Sequence, residues 1–385
     1  MLKVVAVFGT RPEAIKMAPL VKKLEKSRFE IDCRVAVTAQ HREMLDQVLA
    51  LFDITPAYDL DIMRQGQNLF DITGRALAGL QRVFEIENPD LVLVHGDTTT
   101  TFVAALASFY LQIPVGHVEA GLRTRDKFSP YPEEINRRLT GVLADLNFAP
   151  TETAKRNLLD EGVSAEKIFV TGNTIIDALL STVRPEYHFG DPLLDGIDYE
   201  RRRVLLVTTH RRENLGDAMR DIYRALREIV ENYPDVEVVF PVHKNPAVRV
   251  VVDEELGGLD RVHLIEPMGY EPFANLISRS YLVLSDSGGL QEEAPTLGKP
   301  VLVLRNTTER PEAVDAGTVR LVGTGRKAVV EETRRLLDDK NLYDRMANAV
   351  NPYGDGHASE RIVQAIRFHF GISRKRPDEF IPRQI

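Results

Sequence analysis

Short apolar runs rich in valine, isoleucine and leucine recur along this chain, and the segments between them carry apolar residues at helical spacing. Residues 4–8, 31–38, 91–94 and 115–118 read as strands. A helix is expected over 12–26 and another from Gln40; Pro12 suits a first helical turn because it has no N–H to leave unsatisfied. Residues 147–150, followed by Thr151-Glu152-Thr153-Ala154, predict one more strand and a capped helix. From 184 to 200 the period is lost and turn formers dominate, which places the passage between domains at or just before this stretch. The alternation restarts with strands expected at 204–208, 236–241, 262–265, 281–285, 301–304 and 319–322. Strands alternating with helices build parallel sheets, so the expected class is α/β, with two Rossmann-like, doubly wound domains facing a cleft. The expected bounds are 1–175 and 176–360. The tail after Gly371, with Arg374-Lys375-Arg376 and two prolines, reads as a solvated extension.

Composition narrows the partners. At 385 residues with 43% hydrophobic content the chain can fill two cores. Its net charge of −8 gives no support for nucleic acid as a partner. Cys33 is the only cysteine, which excludes an intrachain disulfide and cysteine-rich zinc sites and makes a reducing cytoplasm the simplest home. No run approaches the roughly 18 apolar residues that span a bilayer, so no membrane partner is expected. The opening apolar run is short, ends in Gly9-Thr10-Arg11-Pro12 and reads as a buried strand, not a signal peptide.

The chemistry-bearing residues cluster at predicted strand ends, where open α/β sheets bind ligands. Asp286-Ser287-Gly288-Gly289 follows a strand and opens a helix; its free N–H groups suit a phosphate, or its glycines serve packing alone. Glu293, further along that helix, is placed to take ribose hydroxyls. Arg11 and Lys16 flank the first turn and Arg310 a later one, and cations there suit phosphate oxygens. Asp97, Glu119 and Glu133 come from three loops on one edge; they either pair with Arg123, Arg137 and Arg138 or handle protons. His210-Arg211-Arg212-Glu213 and His243-Lys244 also follow strands, with histidine either an acid/base group or a cation beside a leaving phosphate. Gly323-Thr324-Gly325-Arg326-Lys327-Ala328 fits a dinucleotide pattern, but no acidic residue closes a strand about 20 positions on. No phosphate loop of the Gly-Lys-Ser/Thr kind exists, so ATP hydrolysis of that type is unsupported; no cofactor and no metal are expected.

Phe8-Gly9-Thr10-Arg11-Pro12-Glu13-Ala14, Val94-His95-Gly96-Asp97-Thr98-Thr99, His117-Val118-Glu119-Ala120-Gly121-Leu122-Arg123, Asp286-Ser287-Gly288-Gly289 and Thr308-Glu309-Arg310-Pro311-Glu312 together resemble the non-hydrolysing UDP-N-acetylglucosamine 2-epimerases. The likeness runs from Val4 to about Phe370. It implies a glycosyltransferase B fold, a final helix within 361–385 that returns to the first domain, a homodimer, and interconversion of UDP-N-acetylglucosamine and UDP-N-acetylmannosamine. It also implies that Arg11, Lys16, Asp97, Glu119, His210, Phe273, Ser287, Gly288, Gly289, Glu293 and Arg310 contact the nucleotide sugar. Met268 stands near the uracil where relatives can have Gln. Asp97, Glu119, Glu133 and His210 become the catalytic candidates. Gln40, Arg212 and His243 sit in motifs tied to activation by substrate at a second site, with Glu43 where some relatives have Gln.

The implied route is anti elimination of UDP to 2-acetamidoglucal, then re-addition after protonation from the opposite face. Carboxylates serve as proton carriers and stabilise positive charge at C1. A hydrolysing epimerase that releases N-acetylmannosamine, a glycosyltransferase of the same fold and a non-catalytic sensor are the alternatives.

Overall fold

The valine-rich runs form two parallel sheets. A computed structural model describes residues 1–39, 42–211 and 214–382, and the chain divides into two compact units. The first unit comprises Met1–Ser181 and Tyr353–Ile381. Its strands are β1 (Leu2–Phe8), β2 (Ile31–Val37), β3 (Tyr58–Asp59), β4 (Leu91–His95), β5 (Val115–Val118), β6 (Leu146–Ala149) and β7 (Ile168–Val170). They pair in the order β3-β2-β1-β4-β5-β6-β7. Helices cover both faces of such a sheet, which is why β4 and β5 are buried at every position and β1 at all but Lys3, with no alternation.

The second unit is built from Thr182–Pro352. Its strands are β8 (Arg203–Thr208), β9 (Val236–Pro241), β10 (Val262–Ile265), β11 (Leu282–Ser285), β12 (Val301–Val303) and β13 (Val319–Leu321), paired as β10-β9-β8-β11-β12-β13. The Asp217–Asn232 helix buries Met219, Ile222, Tyr223, Leu226, Ile229 and Val230 against this sheet, one apolar stripe at spacings of three and four. Each such side chain contributes about 1.5–3 kcal/mol by leaving water.

In both units strand order reverses beside the first strand, between β1 and β4 and between β8 and β11. The crossovers leave opposite faces there, and loops after those strands splay apart to form a crevice. The loop after β1 is pinned by its sequence. Thr10 and Glu13 form a capping box on the Arg11–Lys26 helix. Gly9 is required, because a Cβ there would lie 2.0 Å from Thr38 Oγ1.

Two short strands, β3 and β7, fall outside the sequence expectation; at two and three residues they are too short to show a period. The second expected helix is observed as Arg42–Leu51, and Gln40 lies outside the described residues. The tail corrects part of the sequence reading: Arg374 and Lys375 are exposed as expected, but Arg376, Pro377 and Phe380 are packed. Phe380 is 6% exposed and donates its N–H to Val170 O at 2.8 Å. Arg376 lies 4.2 Å over the Phe169 ring and donates to Ile168 O, so its stem and charge are both accommodated. The preceding Ala358–His369 helix packs on the Arg11–Lys26 helix, and buried Asp177 accepts the N–H groups of Ala358 and Ser359 at its start.

Candidate active site

In the first unit the helix after β1, the end of β4 and the turn after β7 bring side chains onto Glu119, the residue after β5. Glu119 has a left-handed backbone, φ +62°, a conformation that costs a non-glycine residue on the order of 1 kcal/mol or more and recurs at functional sites. Gly121, two residues on, has φ +89°, and a Cβ there would lie 2.2 Å from Ala154 O, so this turn admits no side chain. Glu119 Oε2 meets the Lys16 ammonium, accepts Asn173 Nδ2 at 3.0 Å and lies 3.6 Å from His95 Nε2. Burial alone would raise its pKa, but Lys16 and His95 prevail and hold the carboxyl well below the usual range.

Asp97 follows β4 and moves the other way. Burial raises its pKa, and the negative charge of Glu119 adds to the rise; Arg137, at 2.6 Å, offsets only part. Arg137 also lies 3.4 Å from Glu134, whose carboxylate accepts the N–H groups of Thr124 and Arg125. Asn136 donates to Asp97 O at 3.0 Å. Glu13, 2% exposed, accepts the N–H groups of Gly9 and Thr10 and the hydroxyls of Thr98 and Thr101. It therefore ties the loop after β1 to the loop after β4, across the reversal of strand order.

Sequence reasoning gave the salt-bridge and proton-handling roles of these carboxylates as alternatives; of the three arginines, Arg137 alone pairs with one of them among the described residues. Arg137 pairs with Asp97, whereas Arg123 makes a two-pronged contact with Glu161 and Arg138 lies 3.8 Å from the same carboxylate. Those two arginines line a cavity of about 410 Å³ with Arg125, Glu134, Asn157, Asp160 and Glu161, which contains none of Asp97, Glu119 and Lys16. Glu133 opens the Glu133–Leu143 helix and is half-buried; no contact joins it to Asp97 or Glu119 among the described residues. Lys16, expected on phosphate, meets Glu119. Arg11 is half-buried and has no ion-pair partner among the described residues.

In the second unit Asp286, 0% exposed, collects the N–H groups of His210 and Arg211, Asn214 Nδ2 and, at 2.9 Å, His210 Nδ1. Burial works against its charge, yet these donors bring its pKa below the usual value. An ionised acceptor on Nδ1 fixes the histidine ring and turns Nε2 outward. His243 stacks on that ring, with centroids 6.4 Å apart. Arg212 lies outside the described residues.

Beyond Asp286, Ser287 N–H donates to Ser285 Oγ, while the N–H groups of Gly288 and Gly289 meet no acceptor among the described residues. Glu293 lies in the Leu290–Thr296 helix, with its Oε1 3.4 Å from where a Cβ on Gly289 would stand. Arg310 pairs with buried Glu292, and its N–H donates to Thr308 Oγ1. Phe273 is half-buried in the first turn of the Tyr270–Arg279 helix, and Met268 is half-buried after β10. Gly323-Thr324-Gly325 follows β13, the outermost strand, two places from the reversal of strand order.

Sequence reasoning did not assign roles to Glu13, His95, Asn173 or the pairing of Asp286 with His210. Glu13 alone left a signal, a glutamate three residues after Thr10 in the capping-box pattern.

Known proteins are similar to this chain in sequence and in fold. The sequence profile of UDP-N-acetylglucosamine 2-epimerase matches residues 22–367. The chain is 56% identical over 379 residues to the UDP-N-acetylglucosamine 2-epimerase of Bacillus subtilis (strain 168), covering 98% of each chain. It is 55% identical over 375 residues to that of Escherichia coli (strain K12), covering 95% of this chain and 98% of the other. The crystal structure of the Neisseria meningitidis UDP-GlcNAc 2-epimerase bound to UDP-GlcNAc superposes with a TM-score of 0.82 at 51% identity, covering 95% of this chain and 99% of that one. With most of its length matched at this identity, the chain belongs to the UDP-N-acetylglucosamine 2-epimerase family.

Proposed function

We propose that this chain interconverts UDP-N-acetylglucosamine and UDP-N-acetylmannosamine without net hydrolysis, by anti elimination of UDP and its re-addition. The observation that carries the reading is the opposite displacement of two neighbouring carboxyls, Asp97 upward and Glu119 downward. Inversion at C2 needs a base for one face of the sugar and an acid for the other in the same turnover. Groups whose surroundings push their proton affinities apart meet that need.

Glu119, held as the anion, removes the C2 proton while the trans-diaxial C1–O bond breaks; the electron pair of the C–H bond forms the C1–C2 double bond, and UDP leaves. Asp97, whose proton affinity burial raises, gives a proton to the opposite face as UDP re-adds at C1. The reverse reaction exchanges the two roles. Glu133 is a further acid/base candidate at the start of its helix. His210, fixed through Nδ1, presents Nε2 to the departing diphosphate, and Arg11 adds positive charge. Lys16 serves first to hold Glu119. Gly288 and Gly289 offer N–H groups to phosphate beside Ser287, Glu293 takes the ribose, Phe273 and Met268 border the base, and Arg310 shapes the diphosphate loop from its pair with Glu292. His243, stacked on His210, would report a second substrate molecule to that ring. The route needs no cofactor and no metal.

The homodimer belongs to the same proposal. The Leu69–Glu87, Thr99–Tyr110 and Glu133–Leu143 helices pack side by side, and Phe70, Phe109, Tyr110 and Val142 expose between 58% and 90% of their surface. Exposed apolar side chains on neighbouring helices support that reading. A single cysteine and no described helix long and apolar enough to cross a membrane fit work in the cytoplasm.

Proton NMR of the protein with UDP-N-acetylglucosamine in deuterated buffer tests the reaction. The manno epimer, deuterated at C2 and still bearing UDP, is the expected product. Free N-acetylmannosamine would make the enzyme a hydrolysing one, and an unchanged spectrum that responds only to an added acceptor would make it a transferase.

A further inference from the structure

Glu119 is also gripped by a loop that the proton chemistry does not itself require. β7 ends at Val170, and the next turn carries Gly172 and Asn173. Asn173 is 3% exposed. Its Oδ1 accepts the Ile175 N–H at 3.1 Å, which fixes the amide so that Nδ2 faces Glu119 Oε2 at 3.0 Å. Its own N–H donates to Tyr353 O at 2.6 Å, where the chain re-enters the first unit. Gly172 has φ +84°, and a Cβ there would stand 3.3 Å from Gly354 Cα and 3.6 Å from Phe380 Cγ. The loop is therefore clasped by two segments nearly 200 residues away in sequence. Arg361 completes the clasp, donating to Thr171 O at 3.2 Å and lying 5.5 Å over the Phe380 ring.

We infer that Asn173 is a positioning residue for Glu119, and that the C-terminal tail fixes it in place through Phe380. The inference rests on the reading of Glu119 as the proton-removing group. A carboxylate that must reach one C–H bond loses rate steeply when it swings, and Lys16 alone, on a flexible four-carbon stem, cannot fix both its position and its plane. A short loop after a three-residue edge strand would not be rigid by itself. The tail supplies the rigidity by covering that edge strand, which also removes an unpaired strand edge from solvent. The titratable groups that face Glu119 are Lys16, His95, Asp97 and His117, and the substitutions below leave all four in place.

Asn173→Asp keeps the shape, removes the donor and puts a like charge against Glu119. The acid limb of the kcat/KM profile is expected to move up by about one pH unit or more, with kcat near neutrality falling about 10- to 100-fold and KM much less affected. Phe380→Ala, far from any reacting atom, is expected to move the same limb in the same direction by less, and Phe380→Leu to restore it in part. A thermal melt of each variant confirms that the protein is folded. An acid limb at the wild-type position in folded Asn173→Asp would overturn the positioning role; should that variant not fold, an unmoved limb in Phe380→Ala overturns it. A shift in Asn173→Asp without one in Phe380→Ala would overturn the part given to the tail. Wild-type turnover in Glu119→Gln would instead remove the underlying reading of Glu119.

Discussion

Asp97 and Asp286 occupy corresponding places in the two units, each following the strand beside the reversal of strand order, β4 and β11, yet their proton affinities move in opposite directions. Burial penalises the charge of both. Asp286 answers with donors from His210, Arg211 and Asn214 and stays ionised. Asp97 has one arginine and faces the negative charge of Glu119, so the penalty prevails. The same topological position thus holds a histidine in one unit and, in the proposed reaction, carries a proton in the other; the number of donors aimed at the carboxylate sets the direction of each shift.

The strongest way to break this comparison is to remove the titratable proton where it is used. Glu119→Gln and Asp97→Asn are each expected to lower kcat by about 10³-fold or more, while UDP affinity, read by calorimetry, stays within a few-fold of wild type. Equal losses of turnover and UDP affinity would make these side chains binding groups only. Asp286→Asn comes next: with the negative charge gone, the His210 ring loses its fixed tautomer, and kcat should drop by about 10²-fold, short of the loss expected for the proton carriers.

Stability against pH sharpens the contrast with a smaller effect. Asp97 has a folded pKa above its unfolded one, so the stability linked to it is full below the unfolded value and is lost as pH rises through the folded one. Asp97→Asn should therefore melt higher than wild type at neutral pH, the difference shrinking in acid. Asp286 has the reverse shift, so its contribution is present above the unfolded pKa and is lost as pH falls through the folded value. Asp286→Asn should melt lower at neutral pH and converge with wild type in acid.

The smallest expected effect concerns His117. Buried and donating to Gly96 O at 2.7 Å, its imidazole is pushed down from 6.5 to about 4 by burial. Stability linked to it is present above 6.5 and is lost as pH falls toward about 4. In His117→Asn the denaturant midpoint should vary less across that window than in wild type.

The strand-end positions of Asp97, Glu119, His210 and Ser287 were legible in the sequence, because a buried parallel strand is a continuous apolar run and the chemistry starts where the run stops. Their partners were not. Asn173 lies 54 residues from Glu119, and Asp286 lies 76 from His210, separations that no local period encodes. The tail misled for a related reason: Arg376 and the prolines read as solvated, while Phe169 and Phe380, which make its packing favourable, lie 211 residues apart in the sequence.

The proposed reaction needs Glu119 and Asp97 to act on opposite faces of one sugar, and proton NMR of Asp97→Asn with UDP-N-acetylglucosamine in deuterated buffer separates the two. With Glu119 intact and the donor gone, UDP and 2-acetamidoglucal should accumulate with almost no manno epimer. Formation of the deuterated manno epimer at the wild-type rate would contradict the assignment of these two carboxyls.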